Sequence, residues 1–214
     1  RWVSISAIFS SSARCCSLID CIFWRNSAVA CSRSVAAACA SLARAAPDAA
    51  RLADSVATSP DGRNVYATGS LDDAVSVFER DDVTGALDFL DVLVDGVEGV
   101  DGLDGASGIT LSPDGRHVYV ASRSENGVGV FARDAETGIL AFVEALKSPA
   151  IGLGLLNGTR DVVVSPDGRH VYAAGSGDDA VAVFSRNGTT GALTLEGGVR
   201  DGIAFSRSDD GGRS

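Results

Sequence analysis

The sequence contains no methionine, only two histidines, and a single lysine among its 18 basic side chains. All five cysteines precede residue 52 and match no metal-binding spacing, so cysteine chemistry is excluded from the rest of the chain. No apolar run reaches the roughly 18 residues that a membrane-spanning helix needs. With so few histidines, a Ser-His-Asp or Cys-His catalytic arrangement cannot be assembled convincingly. Because a gene product normally begins with methionine, we expect this chain to be a fragment or a processed piece.

Charge divides the chain into two unlike parts. Residues 1–51 carry a net charge of about +4 and residues 52–214 about −14, which together give the total of −10. The acidic part should repel nucleic acid and anionic membrane surfaces. We therefore predict a Cys-, Ala- and Ser-rich leader at 1–51 that is partly helical or disordered, a folded region at 52–206, and a disordered tail at 207–214.

The acidic part repeats itself every 53 residues. The segment SPDGRNVY begins at Ser59, and SPDGRHVY begins at Ser112 and again at Ser165. Tyrosine, phenylalanine, arginine and glycine positions keep the same spacing through all three units. A fixed period of this length is typical of architectures in which one supersecondary unit stacks on its neighbours.

Each unit predicts four strands. A short apolar strand runs into Ser-Pro-Asp-Gly, which favours a type I turn, and two further β-rich segments alternate as strands do. A Thr-Gly turn then leads to a fourth strand, and no helical pattern separates the units. The fold class predicted is all-β: a partial β-propeller of three four-stranded antiparallel blades plus the first strand of a fourth. The blades cover about 52–104, 105–157 and 158–201, and the extra strand covers 202–206.

These segments resemble a known family. SPDGRHVYV, DDAVAVFSR and TGAL, with the return segment GVDGLDGA, look like the lactonase-like, YVTN-type seven-bladed propellers, over residues 52 to about 196. That family includes 6-phosphogluconolactonase-like enzymes as well as surface and binding proteins. The sequence shows no cluster of non-repeating Glu, Arg or His at the channel mouth. Our first hypothesis is therefore a non-enzymatic binding or interaction module; the alternative is part of a hydrolase that acts on a sugar lactone. No catalytic residue is predicted.

The first return segment carries a candidate metal site. Its carboxylates recur at every third residue, each followed by glycine: Asp95, Glu98, Asp101 and Asp104. Oxygen ligands on a glycine-rich loop could bind calcium, but the spacing is not that of an EF-hand. The return segment of the third unit has no carboxylate, which favours a solvated acidic loop instead. No other cofactor is predicted.

Other charged positions repeat with the units. The pairs Asp72-Asp73, Glu125-Asn126 and Asp178-Asp179 occupy the loop between second and third strands, as solvated turn acids or as a cation-binding rim. The acids and arginines of the Pro-Asp-Gly turns, with Arg80, Arg133 and Arg186, indicate ion pairs that build the frame. His117 and His170 occupy one repeat position, so we expect them far apart, each beginning a strand near the surface.

Partners and compartment follow from this interpretation. We expect an unknown protein or small-molecule ligand, no nucleic acid, no membrane span, and self-association through the open blade edges. The resemblance favours a periplasmic, cell-surface or secreted location. Finally, because a middle blade is covered on both faces, Phe131 should be buried although it points away from its neighbours Val128 and Val130.

Overall fold

The computed structural model describes residues 53–148 and 154–206, the last two by backbone alone, and this part of the chain is all-β. Thirteen strands form three antiparallel sheets. The first sheet contains β1 (Ala53–Thr58), β2 (Asn64–Gly69), β3 (Ala74–Arg80) and β4 (Leu87–Val94). The second contains β5 (Ala106–Leu111), β6 (His117–Ser122), β7 (Gly127–Arg133) and β8 (Leu140–Lys147). The third contains β9 (Thr159–Val164), β10 (His170–Gly175), β11 (Ala180–Arg186), β12 (Leu193–Arg200) and β13 (Ile203–Ser206).

The sheets are the predicted blades, and their order matches the repeat. Within each sheet the strands pair in sequence order, as an up-and-down meander does. The first strands lie together, with β5 in contact with both β1 and β9. This edge is therefore the inner edge of the array, and the fourth strands lie outside. The predicted leader and the predicted tail lie outside the described residues.

The Ser-Pro-Asp-Gly segments form the predicted turns between first and second strands. The Gly62 amide donates to the Ser59 carbonyl at 2.8 Å, and the two later copies make the same bond. The Ser59 hydroxyl donates to the Asp61 carboxylate at 2.5 Å and accepts a hydrogen bond from the Asn64 amide at 3.0 Å. Serine and aspartate thus satisfy the polar groups of a tight turn that proline has already restricted.

Side-chain alternation gives every blade two apolar faces. One face of the middle blade presents Phe131 to the first blade, in a core that contains Val75 and Val77. Its other face presents Val128 and Val130 to the third blade. Phe131 is completely buried, as expected. Two cores, each between neighbouring blades, therefore hold the array together, and a blade alone could bury neither of its faces.

The outer blades each leave one face open. On the first blade Val56 is 66% exposed and Phe89 is 42% exposed. On the third blade Val163, Val181 and Val199 are each at least 40% exposed. These faces are the counterparts of the ones that the middle blade buries.

The last strand differs from its prediction. The first strand of a fourth blade was expected at 202–206, but β13 pairs with β12 and extends the third sheet. The physical reason is the Asp201-Gly202 turn, in which both residues have positive φ, 49° and 78°. Such values define a type I′ turn, which folds a strand directly back on its predecessor. The prediction rests on the similarity of GIAFS at Gly202–Ser206 to GITLS at Gly108–Ser112, and this similarity does not take the Asp-Gly turn into account.

An arginine joins each blade to the one before it. Arg133 Nε donates to the Tyr66 hydroxyl at 2.8 Å, and its Nη2 donates to Asn64 Oδ1 at 2.7 Å and to Asp61 Oδ2 at 2.8 Å. The Arg133 side chain is only 2% exposed. Burial raises the pKa of Asp61, but hydrogen bonds from Ser59 and Arg133 outweigh it and hold that pKa at about 2. We call this set of contacts the inter-blade clasp.

The clasp recurs between the second and third blades, where a histidine replaces Asn64. Arg186 reaches the Tyr119 hydroxyl, the Asp114 carboxylate and His117 Nδ1, the last at 2.8 Å. His117 begins β6 as expected, but it is only 3% exposed, so the prediction that it lies near the surface is wrong. The third blade covers His117, and the sequence repeat alone does not reveal this contact between blades. The predicted frame-building ion pairs are confirmed for Asp61–Arg133 and Asp114–Arg186.

No helix within residues 53–148 and 154–206 is long and apolar enough to cross a membrane.

Truncation of Phe131 should test the two-faced blade. Phe131→Ala leaves a cavity between the first two blades and should lower the free energy of unfolding by about 3–5 kcal/mol. Phe89→Ala removes the same side chain from an open face and should cost far less. Urea unfolding followed by circular dichroism measures both. Equal effects of the two substitutions would contradict burial of one and exposure of the other.

The clasp histidine should make stability depend on pH. Burial, and after it the Arg186 charge, lower the pKa of His117 below 6.5 in the folded chain. The unfolded chain therefore binds a proton at His117 more tightly than the folded chain does. The free energy of unfolding should therefore fall as pH drops below about 6.5. His117→Asn supplies the residue found at Asn64 and should remove this part of the pH dependence. Urea unfolding at several pH values compares the variant with the parent; identical slopes would refute the assignment.

Candidate functional site

A cavity of about 420 Å³ opens at the inner edge of the array, on the rim where the first strands begin. All three blades contribute to it. Its lining consists of Asp54, Ser55, Ser70, Ser107, Gly108, Arg123, Arg160 and Asp161. The cavity therefore combines cationic, anionic and hydroxyl groups in one small volume.

The lining residues occupy only three positions of the repeat, and each position changes from blade to blade. The start of the first strand carries Asp54, then Ser107, then Arg160 at intervals of 53. The next position carries Ser55, Gly108 and Asp161. The position after the second strand has Arg123 in the middle blade and serine in the other two. The frame repeats, while the groups that could do chemistry do not.

Hydrogen bonds between blades fix the floor of this cavity. Thr68 Oγ1 on the first blade donates to the Ser107 carbonyl at 2.8 Å. Ser107 Oγ in turn lies 3.0 Å from the Arg160 carbonyl on the third blade. These bonds join β2 of the first blade to β5, and β5 to β9, which positions the residues beside them.

Three of the charged side chains are held by local partners. Asp54 Oδ2 accepts a hydrogen bond from the Ser70 amide at 3.0 Å, and Arg160 Nε donates to Ser176 Oγ at 3.0 Å. Asp161 Oδ1 accepts from the Val162 amide at 2.9 Å. Each of these charged groups keeps further donor or acceptor capacity. Carboxylates can act as general bases here, and guanidinium groups can bind an anion or stabilise a developing oxyanion.

These residues were not predicted from the sequence. No non-repeating cluster of Glu, Arg or His was recognised at the channel mouth, whereas the structure brings Arg123 and Arg160 together with Asp54 and Asp161. The signal was present in the sequence. An alignment of the three units shows charged residues at positions where another unit has serine. The alignment does not show that these positions lie on the same rim of the array.

The four carboxylates predicted as a calcium loop are not brought together as a set. Asp95 and Asp101 lie close to Glu125, with one carboxylate oxygen of each within 4.8 Å of the others. Glu98 and Asp104 are not in this group. Calcium binding stays a prediction, now with Glu125 in place of Glu98 and Asp104.

A lysine already supplies a cation to this cluster. Lys147 Nζ donates to Glu125 at 2.6 Å and also to Asp101. The hydrogen bond from Lys147 lowers the pKa of Asp101, whereas burial raises the pKa of Glu125. A calcium ion would have to compete with the ammonium group for the same oxygens.

The paired residues of the second-to-third-strand loops have structural partners. Asp73 Oδ1 accepts a hydrogen bond from the Gly105 amide at 2.8 Å, and Asn126 Oδ1 accepts one from the Gly158 amide at 2.7 Å. Both bonds tie a loop to the return segment that enters the next blade. Asp73, Asn126 and Asp179 all have positive φ, a conformation that Asp and Asn tolerate. These loops therefore fix the rim on which the cavity lies.

The described fold is a run of three propeller blades, and comparison with known proteins identifies the family. Residues 45–200 match the family described as lactonase, 7-bladed beta-propeller. The chain belongs to this family. The resemblance seen in the sequence is thereby confirmed.

Individual relatives share about a third of their residues or fewer with this chain. The chain is 30% identical over 140 residues to the 6-phosphogluconolactonase of Bacillus subtilis, covering 65% of this chain and 38% of that protein. It is similar in structure to the periplasmic gluconolactonase of Pseudomonas aeruginosa, with a TM-score of 0.59 and 31% identity over 70% of this chain and 40% of that one. A protein from Lactobacillus plantarum gives a TM-score of 0.56 at 27% identity, over 66% of this chain and 39% of that one. The chain thus spans about two fifths of the length of these relatives.

A close approach of two strands beneath the cavity gives a testable constraint. A Cβ atom at Gly108 would lie 2.7 Å from Asp161 Cα and 2.8 Å from the Arg160 carbonyl oxygen. Gly108→Ala should therefore push β9 away from β5 and lower the free energy of unfolding by about 1–3 kcal/mol. Gly188→Ala is the control, because a Cβ there meets nothing within 4 Å. Thermal unfolding of both variants checks this; a fully tolerated Gly108→Ala would mean that the strands lie farther apart.

Proposed function

We propose that the rim cavity binds a sugar lactone and contributes to its hydrolysis. The observation that carries the proposal is the cavity itself. Its two arginines and two carboxylates occupy repeat positions at which the residue differs from blade to blade. The names of two relatives, a 6-phosphogluconolactonase and a periplasmic gluconolactonase, support a lactone as the substrate class. They favour the hydrolase hypothesis over the binding module that we ranked first from sequence.

The chemistry of the reaction fits the groups that line the cavity. Water adds to the lactone carbonyl carbon, the ring C–O bond breaks, and the proton lost by water is returned to the departing ring oxygen. A carboxylate, Asp54 or Asp161, would accept the proton from water as general base. A guanidinium, Arg123 or Arg160, would stabilise the negative charge that develops on the carbonyl oxygen.

The second arginine gives the site a means of selecting its substrate. Arginine binds phosphate through two parallel hydrogen bonds, and a phosphorylated lactone carries such a group. One arginine at the carbonyl and one at the phosphate would orient the ring between them. We therefore propose a preference for a phosphorylated sugar lactone over the unphosphorylated form.

The compartment is a further part of the proposal. One relative is periplasmic by name, which supports a location outside the cytoplasm for this chain.

Hydrolysis assays test the proposal directly. The chain is supplied with 6-phosphoglucono-δ-lactone or glucono-δ-lactone, and acid release is followed with a pH indicator after subtraction of the buffer blank. We expect turnover above the blank, with the phosphorylated lactone preferred. Arg123→Ser introduces the residue that both other blades carry at that position, and Arg160→Ser introduces the serine of the middle blade, so the frame should tolerate both. Each should lower kcat/KM by about 10²-fold.

Matched controls separate the roles of the arginines. Arg169→Ser removes the same charge from a Pro-Asp-Gly turn on the opposite rim and should leave kcat/KM unchanged. Loss of phosphate discrimination in only one arginine variant would identify the phosphate-binding arginine. Turnover no faster than the blank would overturn the hydrolase proposal. Saturable binding of gluconate without turnover would instead favour the binding module.

A further inference from the structure

Each described blade carries one charged residue and one serine on the cavity side of the rim. One of the two stands near the start of the first strand, and the other directly follows the second strand. In the first blade Asp54 Oδ2 accepts a hydrogen bond from the Ser70 amide at 3.0 Å. In the third blade Arg160 Nε donates to Ser176 Oγ at 3.0 Å. In these two blades the serine therefore holds the charged residue.

The middle blade reverses the order, and its serine does not hold its arginine. Ser107 is on the first strand and Arg123 follows the second. Ser107 Oγ lies 3.2 Å from the Ala121 carbonyl oxygen and 3.0 Å from the Arg160 carbonyl oxygen, so its hydrogen is directed to the backbone. Arg123 is exposed, and among the residues that the structure describes its guanidinium has no hydrogen-bond or ion-pair partner. The two arginines of the cavity therefore differ, since one is held and the other is free to turn.

The bond that holds Arg160 belongs to a chain of hydrogen bonds that reaches the middle blade. Ser176 Oγ donates its one hydrogen to the Gly158 carbonyl at 2.8 Å, which leaves a lone pair for Arg160 Nε. The Gly158 amide donates in turn to Asn126 Oδ1 at 2.7 Å. Donation through Nε fixes the plane of the Arg160 guanidinium and leaves both of its Nη groups for a ligand.

We propose that the two arginines of the cavity have different roles in lactone hydrolysis, an inference that rests on the proposed function. Arg160 donates to the carbonyl oxygen of the lactone, and Arg123 binds the phosphate of a phosphorylated substrate. Ser176 does not touch the substrate and is a positioning residue for Arg160.

The role of Arg160 follows from what stabilisation of a transition state requires. As the oxygen of water bonds to the carbonyl carbon, negative charge develops on the carbonyl oxygen. That charge is lost when the ring C–O bond breaks and the ring oxygen takes the proton that the general base had accepted. A donor stabilises this short-lived charge best when it is already in place, because reorientation during the reaction is costly. Ser176 places Arg160 before the substrate arrives.

The role of Arg123 follows from its freedom. The phosphate of a 6-phosphorylated sugar lactone is carried on a rotatable carbon outside the ring, so the group that binds it must adapt to its position. Arg123 can do so without breaking a bond to the protein, and all of its donors are available for two parallel bonds to phosphate oxygens.

Steady-state kinetics of the full chain on 6-phosphoglucono-δ-lactone and glucono-δ-lactone test the two roles. Arg123→Ser should raise KM for the phosphorylated lactone and lower the ratio of the two kcat/KM values by about 10²-fold. Arg160→Ser should instead lower kcat on both lactones by about 10²-fold and keep the ratio. Titration with inorganic phosphate, followed by side-chain NMR of the arginines, should give a saturable shift at Arg123.

Substitutions of Ser176 test the positioning role. Ser176→Ala should lower kcat on both lactones by about tenfold with little change in KM, because it removes one hydrogen bond to a charged group. It should also speed hydrogen exchange at Arg160 Nε, a readout that is independent of activity. Ser176→Thr keeps the hydroxyl and should restore most of both properties. Ser185→Ala makes the same change on β11 and should leave kcat and the exchange rate unchanged.

The outcomes separate this inference from the proposed function. If Arg160→Ser loses the preference for the phosphorylated lactone and Arg123→Ser keeps it, the assignment is overturned while hydrolysis stands. Loss of the preference in both variants would overturn the division of roles. A Ser176→Ala variant with the kcat and exchange rate of the parent would overturn positioning by Ser176.

A parent chain that hydrolyses neither lactone would overturn the proposed function, and with it the catalytic role of Arg160. The titration with inorganic phosphate would then still decide the role of Arg123. A saturable shift at Arg123 would support a phosphate-binding site without hydrolysis. A shift at Arg160 alone, or no saturable shift at either arginine, would overturn phosphate binding by Arg123.

Discussion

The buried arginine between neighbouring blades is the contact on which the rest of this structure depends. A single blade has two apolar faces and a meander of four strands, and it cannot cover either face by itself. The arginine joins the Pro-Asp-Gly turn and the tyrosine of one blade to the next, and fixes how the apolar faces meet. Removing one partner from such a buried, hydrogen-bonded pair leaves a charge without compensation, which typically costs about 3–5 kcal/mol. The contact therefore both holds neighbouring blades together and sets their relative position.

That fixed relation between blades is what creates a site. The cavity on the rim belongs to no single blade, since its lining comes from equivalent positions in all three. Hydrogen bonds from Thr68 and Ser107 carry the alignment inward to the first strands. Evolution of the site can then proceed by changing three repeat positions, while the turns, tyrosines and clasps that hold the frame stay the same. The residues that hold the frame and the residues that line the cavity occupy different positions of the same repeat.

Much of the fold could be predicted from the sequence because its signals are local. The 53-residue period, the Ser-Pro-Asp-Gly turns and the alternation around Phe131 each report on neighbouring residues, and all three were confirmed. Contacts between units are different. The burial of His117 under the third blade and the meeting of Arg123 with Arg160 depend on how one blade is rotated against the next, which no local pattern contains. For β13 the local signal was the correct one: the Asp-Gly dipeptide indicates a hairpin with β12, whereas the match to the repeat predicted a new blade.

The central claim is that the changing positions on the rim, and not the repeated turns, form the binding site. Amide chemical shifts of the labelled chain, followed by NMR during titration with 6-phosphogluconate, test it most directly. We expect saturable shifts at Ser70, Ser107, Arg123 and Arg160, with the Pro-Asp-Gly turns unaffected. Shifts confined to those turns, or no saturable shift on the rim, would contradict it.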